Sequence, residues 1–311
     1  MRVSTLQYFQ GNIGNLNALQ SQQVTLQKQI SSGVAVEKPS DDPARLFEGI
    51  QAQRGMDRAE QFNRNILFAR TQLEQFDTAL AQSTDILVDV KSRLLAATGS
   101  LVNDSDRKTY AVELQGLRDA LLGVVNKQDL SGRFLFAGKS ETVQPINANF
   151  EYAAERPTGN EPAGLTVQVG EGVYVNLGLT ARDAFVLQDA DPTSTPPTSE
   201  VNVFSLLNEA IDGLNNGASA DEIRGYSAGL NAVFDQVQNS RAGLGVRLAS
   251  LDANEALNRS DKTNFAQLKS SAVDTDMAKA ISEMVQGQNQ IQAFQLSYSN
   301  IAKLSLFNFI A

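Results

Sequence analysis

The 311-residue chain contains no cysteine, no histidine and no tryptophan. Without cysteine there is no disulfide framework, no thiol nucleophile and no thiolate metal site. Without histidine the commonest general base, the commonest metal ligand and every serine–histidine triad are excluded. Any catalysis would fall to carboxylates, lysine or tyrosine. No complete P-loop, zinc motif or dinucleotide fingerprint occurs either, so neither a cofactor nor an enzyme activity is expected. No run of about 18 apolar residues is present, and membrane insertion is not expected. The first residues, "MRVSTLQYFQGNIGNLNALQSQQ", lack the continuous apolar core and cleavage site of a secretory signal. A net charge of -9 argues against binding a nucleic-acid backbone.

What is present is helical periodicity. Ala59, Phe62, Ile66, Ala69, Leu73, Phe76, Leu80, Ser83, Leu87, Val90, Leu94 and Ala97 follow steps of three and four without a break. Such a pattern keeps one seam against a partner helix over many turns. One continuous helix from Ala44 to near Thr98 would be about 80 Å long. A second helix is predicted from Ser105 to near Lys127, striped by Tyr110, Leu114, Leu117, Leu121 and Val124. A third opens at a capping box, Ser219 with Glu222, and carries Leu230, Phe234, Val237, Arg241, Leu244, Leu248 and Leu251. The polar stretch "NEALNRSDKTN" beyond it reads as exposed or loosely packed.

The two ends match each other. Leu6, Phe9, Ile13, Leu16, Leu19, Gln23, Leu26 and Ile30 form one stripe; Met277, Ile281, Met284, Gly287, Ile291, Phe294, Tyr298 and Ile301 form the other, which Leu304 extends. Outside the stripes both ends are rich in glutamine and asparagine. Residues 1–32 carry only Arg2 and Lys28 as charges, and residues 284–311 only Lys303. A solvated helix surface normally carries more charge. The apolar residues of these two stripes are therefore the candidate assembly interface, buried against each other and against neighbouring copies.

The middle differs in kind. Six of the eight prolines lie between residues 141 and 200. Leu165, Val167 and Val169, then Val173, Val175, Leu177 and Leu179, alternate around "GEG", a hairpin signal. "DPTSTPPTSE" reads as a loop, and "SGRFLFAGKSE" as an edge or hairpin strand with Phe134 and Phe136 on one face. The expected fold is mainly α: long antiparallel helices forming a coiled-coil rod from both chain ends, with a small β-rich inserted domain. Its parts are a terminal coiled-coil assembly domain (1–40 plus 273–311), a long-helix rod domain (41–140 plus 201–272) and the insert (141–200).

Two short motifs invite a chemical reading. "EKPSDDPARL" places Asp41 and Asp42 between Pro39 and Pro43, with Ser40 in front. A metal site would need more oxygen ligands than Glu37 and Glu48 supply nearby. Capping explains the residues better: Asp42 before Pro43 suits a helix start, and Asp41 suits the positive helix terminus. Pro39, Ser40, Asp41, Asp42 and Pro43 are thus read as an elbow and helix cap. "SDRK", Ser105 to Lys108, matches the S-x-x-K pattern of acyl enzymes, but its companion motifs are missing and its position suits a helix start.

Together these segments resemble the bacterial flagellin superfamily, and within it the hook–filament junction proteins. The likeness rests on the glutamine-rich opening with "SSG" and "PSDDP", on "SGRFLFAG", on "SRAGLGVRLASLD" and on the ending "DTDMAKAISEMVQGQNQIQAFQLSYSNIAKLSLFNFI". It covers roughly residues 1–140 and 200–311. The resemblance implies a structural protein exported unfolded through the flagellar type III apparatus and located outside the cell. It implies a homo-oligomeric ring between hook and filament, touching a hook-associated protein on one side and flagellin on the other. An export chaperone would cover the C-terminal helix beforehand. Flagellin itself is the alternative reading; a secreted carbohydrate- or host-binding protein acting through the insert is a third.

Overall fold

The computed structural model describes residues 2–129, 131–139, 142–152, 164–187 and 201–310, with side chains described between residues 10 and 299. Seven helices and two small sheets lie within these residues. The chain divides into two compact units, residues 1–58 with 260–311 and residues 59–259.

The inner unit, 59–259, holds the dense core. Helix α2 runs from Pro43 to Ala97, and all twelve members of the unbroken stripe from Ala59 to Ala97 are buried. Ser83, the polar member, donates its hydroxyl to the Ala79 carbonyl at 2.9 Å, so its burial leaves no orphan donor. Helix α3 (Asp104–Val125) starts one residue before the expected Ser105, behind Asn103. The Asn103 side chain accepts from Asp106 N and the Asp106 side chain accepts from Asn103 N, a reciprocal box that satisfies two otherwise unpaired N–H groups. Ser105 and Lys108 of "SDRK" are both exposed in its first turns.

Across the break, α5 (Val203–Asn215) packs on α3, with Val203, Phe204, Leu207, Ala210, Ile211 and Leu214 buried. Helix α6 (Ala220–Val273) begins at the Ser219–Glu222 box. Within the inner unit α6 runs antiparallel to α2. Arg70 pairs with Asp252 at 2.7 Å and with Glu255 at 2.6 Å, Asp77 with Arg241 at 3.0 Å, and Lys91 lies 4.9 Å from the Phe234 ring centre. The stretch "NEALNRSDKTN" is continuous helix and mostly exposed; Asn254, Glu255 and Lys262 are half-buried, and Asn258 is buried and donates to Val169 O at 2.9 Å.

The described part of the insert is built on a hairpin. Strands β1 (Thr166–Gly170) and β2 (Val173–Asn176) pair antiparallel around "GEG", with Gly172 at φ 71 and an irregularity between Gln168 and Gly170. Asn65 of α2 and Asn258 of α6 donate to Gln168 O and Val169 O, docking β1 on both helices. A short helix α4 (Ala181–Phe185) and the pair β3 (Val186–Leu187) with β4 (Val201–Asn202) complete it. The loop expected at "DPTSTPPTSE" lies outside the described residues.

"SGRFLFAG" forms no regular strand, only isolated antiparallel bridges of Phe134 with Gln128 and of Ala137 with Thr180. Asp129 folds it into a tight turn: its carboxylate accepts from Ser131 N at 2.7 Å, Arg133 N at 3.0 Å and Arg133 Nε at 3.0 Å, while Gly132 takes φ 77. The turn drives Phe136 into the core, where it meets Phe76 and Phe185 edge-on at 5.3 and 5.7 Å. Phe134 is only partly buried. Burial lifts the Asp129 pKa, but the backbone donors of Arg133 and Ser131 and the Arg133 guanidinium together outweigh it, holding the carboxyl below its ordinary value.

In the terminal unit, α1 (Arg2–Ser32) packs on α7 (Met277–Ile310), while α2 and α6 run antiparallel. Here α2 and α6 approach through small residues. A side chain on Gly55 would meet the Phe265 ring at 2.7 Å, and Arg45 Nε donates to Ala272 O at 2.8 Å.

Candidate assembly surface

Two links join the terminal helices to the long ones, and each is shaped by local chemistry. Gly33 ends α1 at φ 75, a left-handed turn that a side chain would strain, and its N–H donates to Gln29 O. Asp42 Oδ1 accepts from Ala44 N and Arg45 N, both at 3.1 Å, and Pro43 occupies the first position of α2, where no N–H partner is needed. Asp41 does something else. Its Oδ2 accepts from Lys38 N at 3.0 Å and Glu37 N at 3.2 Å, so it closes the loop behind it and not the helix ahead. Pro39 and Ser40 are exposed at the loop tip. The Lys28–Glu37 ion pair straps α1 to this loop; hydrogen bonding and charge from Glu37 raise the Lys28 pKa.

The link between α6 and α7 meets the first one directly. Ala35 N donates to Val273 O at 2.8 Å, Val36 N to the same oxygen at 3.3 Å, and Thr275 N to Gly33 O at 2.9 Å. Gln29 Nε2 donates to Ala35 O, and Thr275 Oγ1 to Gln29 O. Asp276 then caps α7 by accepting from Lys279 N at 3.1 Å. The chain's two ends are therefore clasped backbone to backbone, with Val36 and Val273 buried beneath the clasp. No sequence signal pointed to this pairing, since the partners lie about 240 residues apart and neither segment reads as a strand.

Above the clasp, pairing of α1 with α7 covers only one face of each. Leu26 is buried; Leu16, Leu19, Ile30, Met284, Ile291 and Phe294 are half-buried; Ile13, Met277, Ile281 and Tyr298 are exposed. Gly287 is buried because Gln23 lies across it, in space a β-carbon would occupy. The side chains of Leu6, Phe9, Ile301 and Leu304 lie outside those described. Three further exposed apolar residues, Val24 (67%), Leu296 (68%) and Val285 (48%), lie off the expected stripes. The near-absence of charge around both helices was the signal for them, because it marks the whole circumference and not one stripe. Among the described residues no cluster of three or more metal-ligating side chains occurs, and no helix is long and apolar enough to cross a membrane.

A paired-helix stem with apolar and uncharged polar residues on its outside suits a polymerising chain more than a solitary one. Residues 3–141 match the model of the bacterial flagellin N-terminal helical region. Flagellar hook-associated protein 3 of Salmonella typhimurium is 28% identical, over 99% of each chain. The chain is similar along its whole length to proteins of the flagellin superfamily. Within this superfamily, flagellin of Bacillus subtilis is 26% identical over 91% of each chain. The fold matches the crystal structure of the flagellar junction protein FlgL from Legionella pneumophila with a TM-score of 0.59 at 16% identity, covering 73% of this chain and all of that one. Similarity to hook-associated protein and flagellin alike marks this as a structural, non-enzymatic chain.

Proposed function

We propose that this chain is a structural component of the extracellular bacterial flagellum that forms the junction between hook and filament. The observation that carries the reading is the α1–α7 stem, whose Ile13, Val24, Ile281, Val285, Leu296 and Tyr298 stay exposed on helices with few charges, Arg2 and Lys28 on α1 and Lys279, Glu283 and Lys303 on α7. Burying those residues against neighbouring copies supplies about 1.5–3 kcal/mol for each large apolar side chain fully covered. Assembly is then driven by surface that the single chain leaves uncovered.

The finer parts of the reading follow the same surface. Leu6, Phe9, Ile13, Leu16, Leu19, Leu26, Ile30, Met277, Ile281, Met284, Ile291, Phe294, Tyr298, Ile301 and Leu304 form the interface of a homo-oligomeric ring. A hook-associated protein borders it on one side and flagellin on the other, and an export chaperone covers α7 before secretion by the type III route. Pro39, Ser40, Asp41, Asp42 and Pro43 act as the elbow that orients the stem.

The whole-length similarity to a flagellin supports one alternative, a chain that builds the filament itself. Immunogold labelling of isolated flagella separates the two. Label confined to the hook–filament boundary is expected; label along the filament would move the chain to the flagellin role, and unlabelled flagella would remove both.

A further inference from the structure

We infer that Asn216 is a self-modifying site, deamidated by the backbone nitrogen of Gly217. This is the only Asn–Gly pair in the sequence. It sits in the turn between α5 and α6, and both residues are exposed. Among the described residues the Asn216 carboxamide has no hydrogen-bond partner, so nothing holds it away from its own backbone. Gly217 takes φ 78, and around the place a side chain would fill the nearest atom is Asp104 Oδ1 at 4.0 Å. Gly217 is exposed and has no side chain of its own to hinder approach to its nitrogen.

The chemistry needs only water. The Gly217 nitrogen forms a bond to Asn216 Cγ, the Cγ–Nδ2 bond breaks, and the amide proton leaves with that nitrogen as ammonia. Water then opens the five-membered imide at either carbonyl, leaving aspartate or isoaspartate. To reach the side chain, Gly217 must swing away from the present Asn216 ψ of 8°. The bond that resists this is Ala218 N to Gly213 O, 2.8 Å, at the turn's far side. The Asn216 N–H bonds to Asp212 O and Gly213 O lie on the other side of the rotating bond and can stay in place.

The fold blocks imide closure at two other candidates, one an asparagine and one an aspartate that would lose water instead of ammonia. Asn239 is exposed and followed by the small Ser240, but both lie inside α6; Asp212–Gly213 lies inside α5. There the attacking nitrogen belongs to a helix, and rotating it would break the regular ladder of bonds. Modification at Asn216 has a direct structural consequence. It puts a carboxylate at the C-terminal end of α5, where the helix dipole disfavours negative charge, on the side of Asp104. The isoaspartate product also lengthens the backbone of a turn that leads straight into the Ser219–Glu222 box.

The test is peptide mapping of the full-length protein after incubation at mildly alkaline pH, with an isoaspartate assay. Two comparisons accompany it, an Asn216→Gln variant and a free peptide spanning residues 212–220. Expected is a gain of one mass unit with isoaspartate at Asn216, slower than in the free peptide but well ahead of Asn239, and absent from Asn216→Gln. An unmodified Asn216 after the free peptide has converted would overturn the proposal. So would conversion of Asn239 at an equal or greater rate. The result is independent of the flagellar role, because it is read on the isolated chain.

Discussion

The two compact units of this chain use the same element, a long amphipathic helix, to opposite ends. In residues 59–259, α2 buries every position of its stripe, and α3, α5, α6 and the hairpin close over it with Phe136, Phe185 and Phe204 fully enclosed. In residues 10–58 and 260–299 the buried side chains are small or few: Leu26, Val36, Ala52, Ala272, Val273 and Ala280. Phe47, Ile50 and Leu268 stay exposed there, beside an open groove of about 420 Å³ that Gly55 and Phe265 help to line. A helix stripe thus becomes a core only where a third layer covers it. Where two helices alone meet, the remaining apolar surface stays uncovered.

The sharpest way to break this contrast is to delete residues 277–311. The chain is expected to disappear from isolated flagella while residues 59–259 keep their cooperative thermal transition; loss of both would show that the inner unit depends on the ends. Next come paired substitutions, one in each unit. Phe136→Ala should cost about 3–5 kcal/mol in denaturant unfolding, because the cavity it leaves is closed on all sides. Ile281→Ser, at a position 47% exposed, should change the stability of the free chain by less than about 0.5 kcal/mol yet impair incorporation into flagella.

A smaller effect is expected at the Asp129 turn. Asp129→Asn should lower stability at neutral pH by about 1–3 kcal/mol, as donors to the carboxylate lose their charged partner. The native Asp129 pKa is depressed, so its contribution is complete above the ordinary carboxylate value of about 3.9 and is lost as pH falls through the lower native value. Acid unfolding followed by circular dichroism should therefore fall off less steeply in the variant across that range. Smaller than the Asp129 effect is that of the cap on α2: Asp42→Ala should cost about 1 kcal/mol, with no dependence on added metal.

Much of the helical architecture was legible because periodicity encodes it. The α2 stripe, the Ser219–Glu222 box and the hairpin around Gly172 each rest on residues within a few positions of one another. "SGRFLFAG" was misread because its alternating phenylalanines mimic a strand, while the side chain that bends it, Asp129, lies just outside the apolar run. Asp41 was assigned to the helix ahead, although its carboxylate turns back toward Lys38, a choice of rotamer that spacing does not reveal. Asn258 read as one more polar residue of an exposed stretch. Its partner, the Val169 carbonyl, is brought to it only by folding of the insert.

The sequence by itself determined where the long helices start, which face of each is apolar, and that the terminal thirty or so residues carry almost no charge. These are local properties, written in side-chain spacing and in the backbone preferences of Gly33, Pro43 and the capping residues. Only the tertiary structure decided which apolar faces find cover within the chain and which remain open. It also decided that the two ends are clasped through Ala35, Val36, Val273 and Thr275. The reason is physical: burial and backbone pairing depend on which distant segment arrives opposite, and nothing within reach of a local pattern specifies that partner.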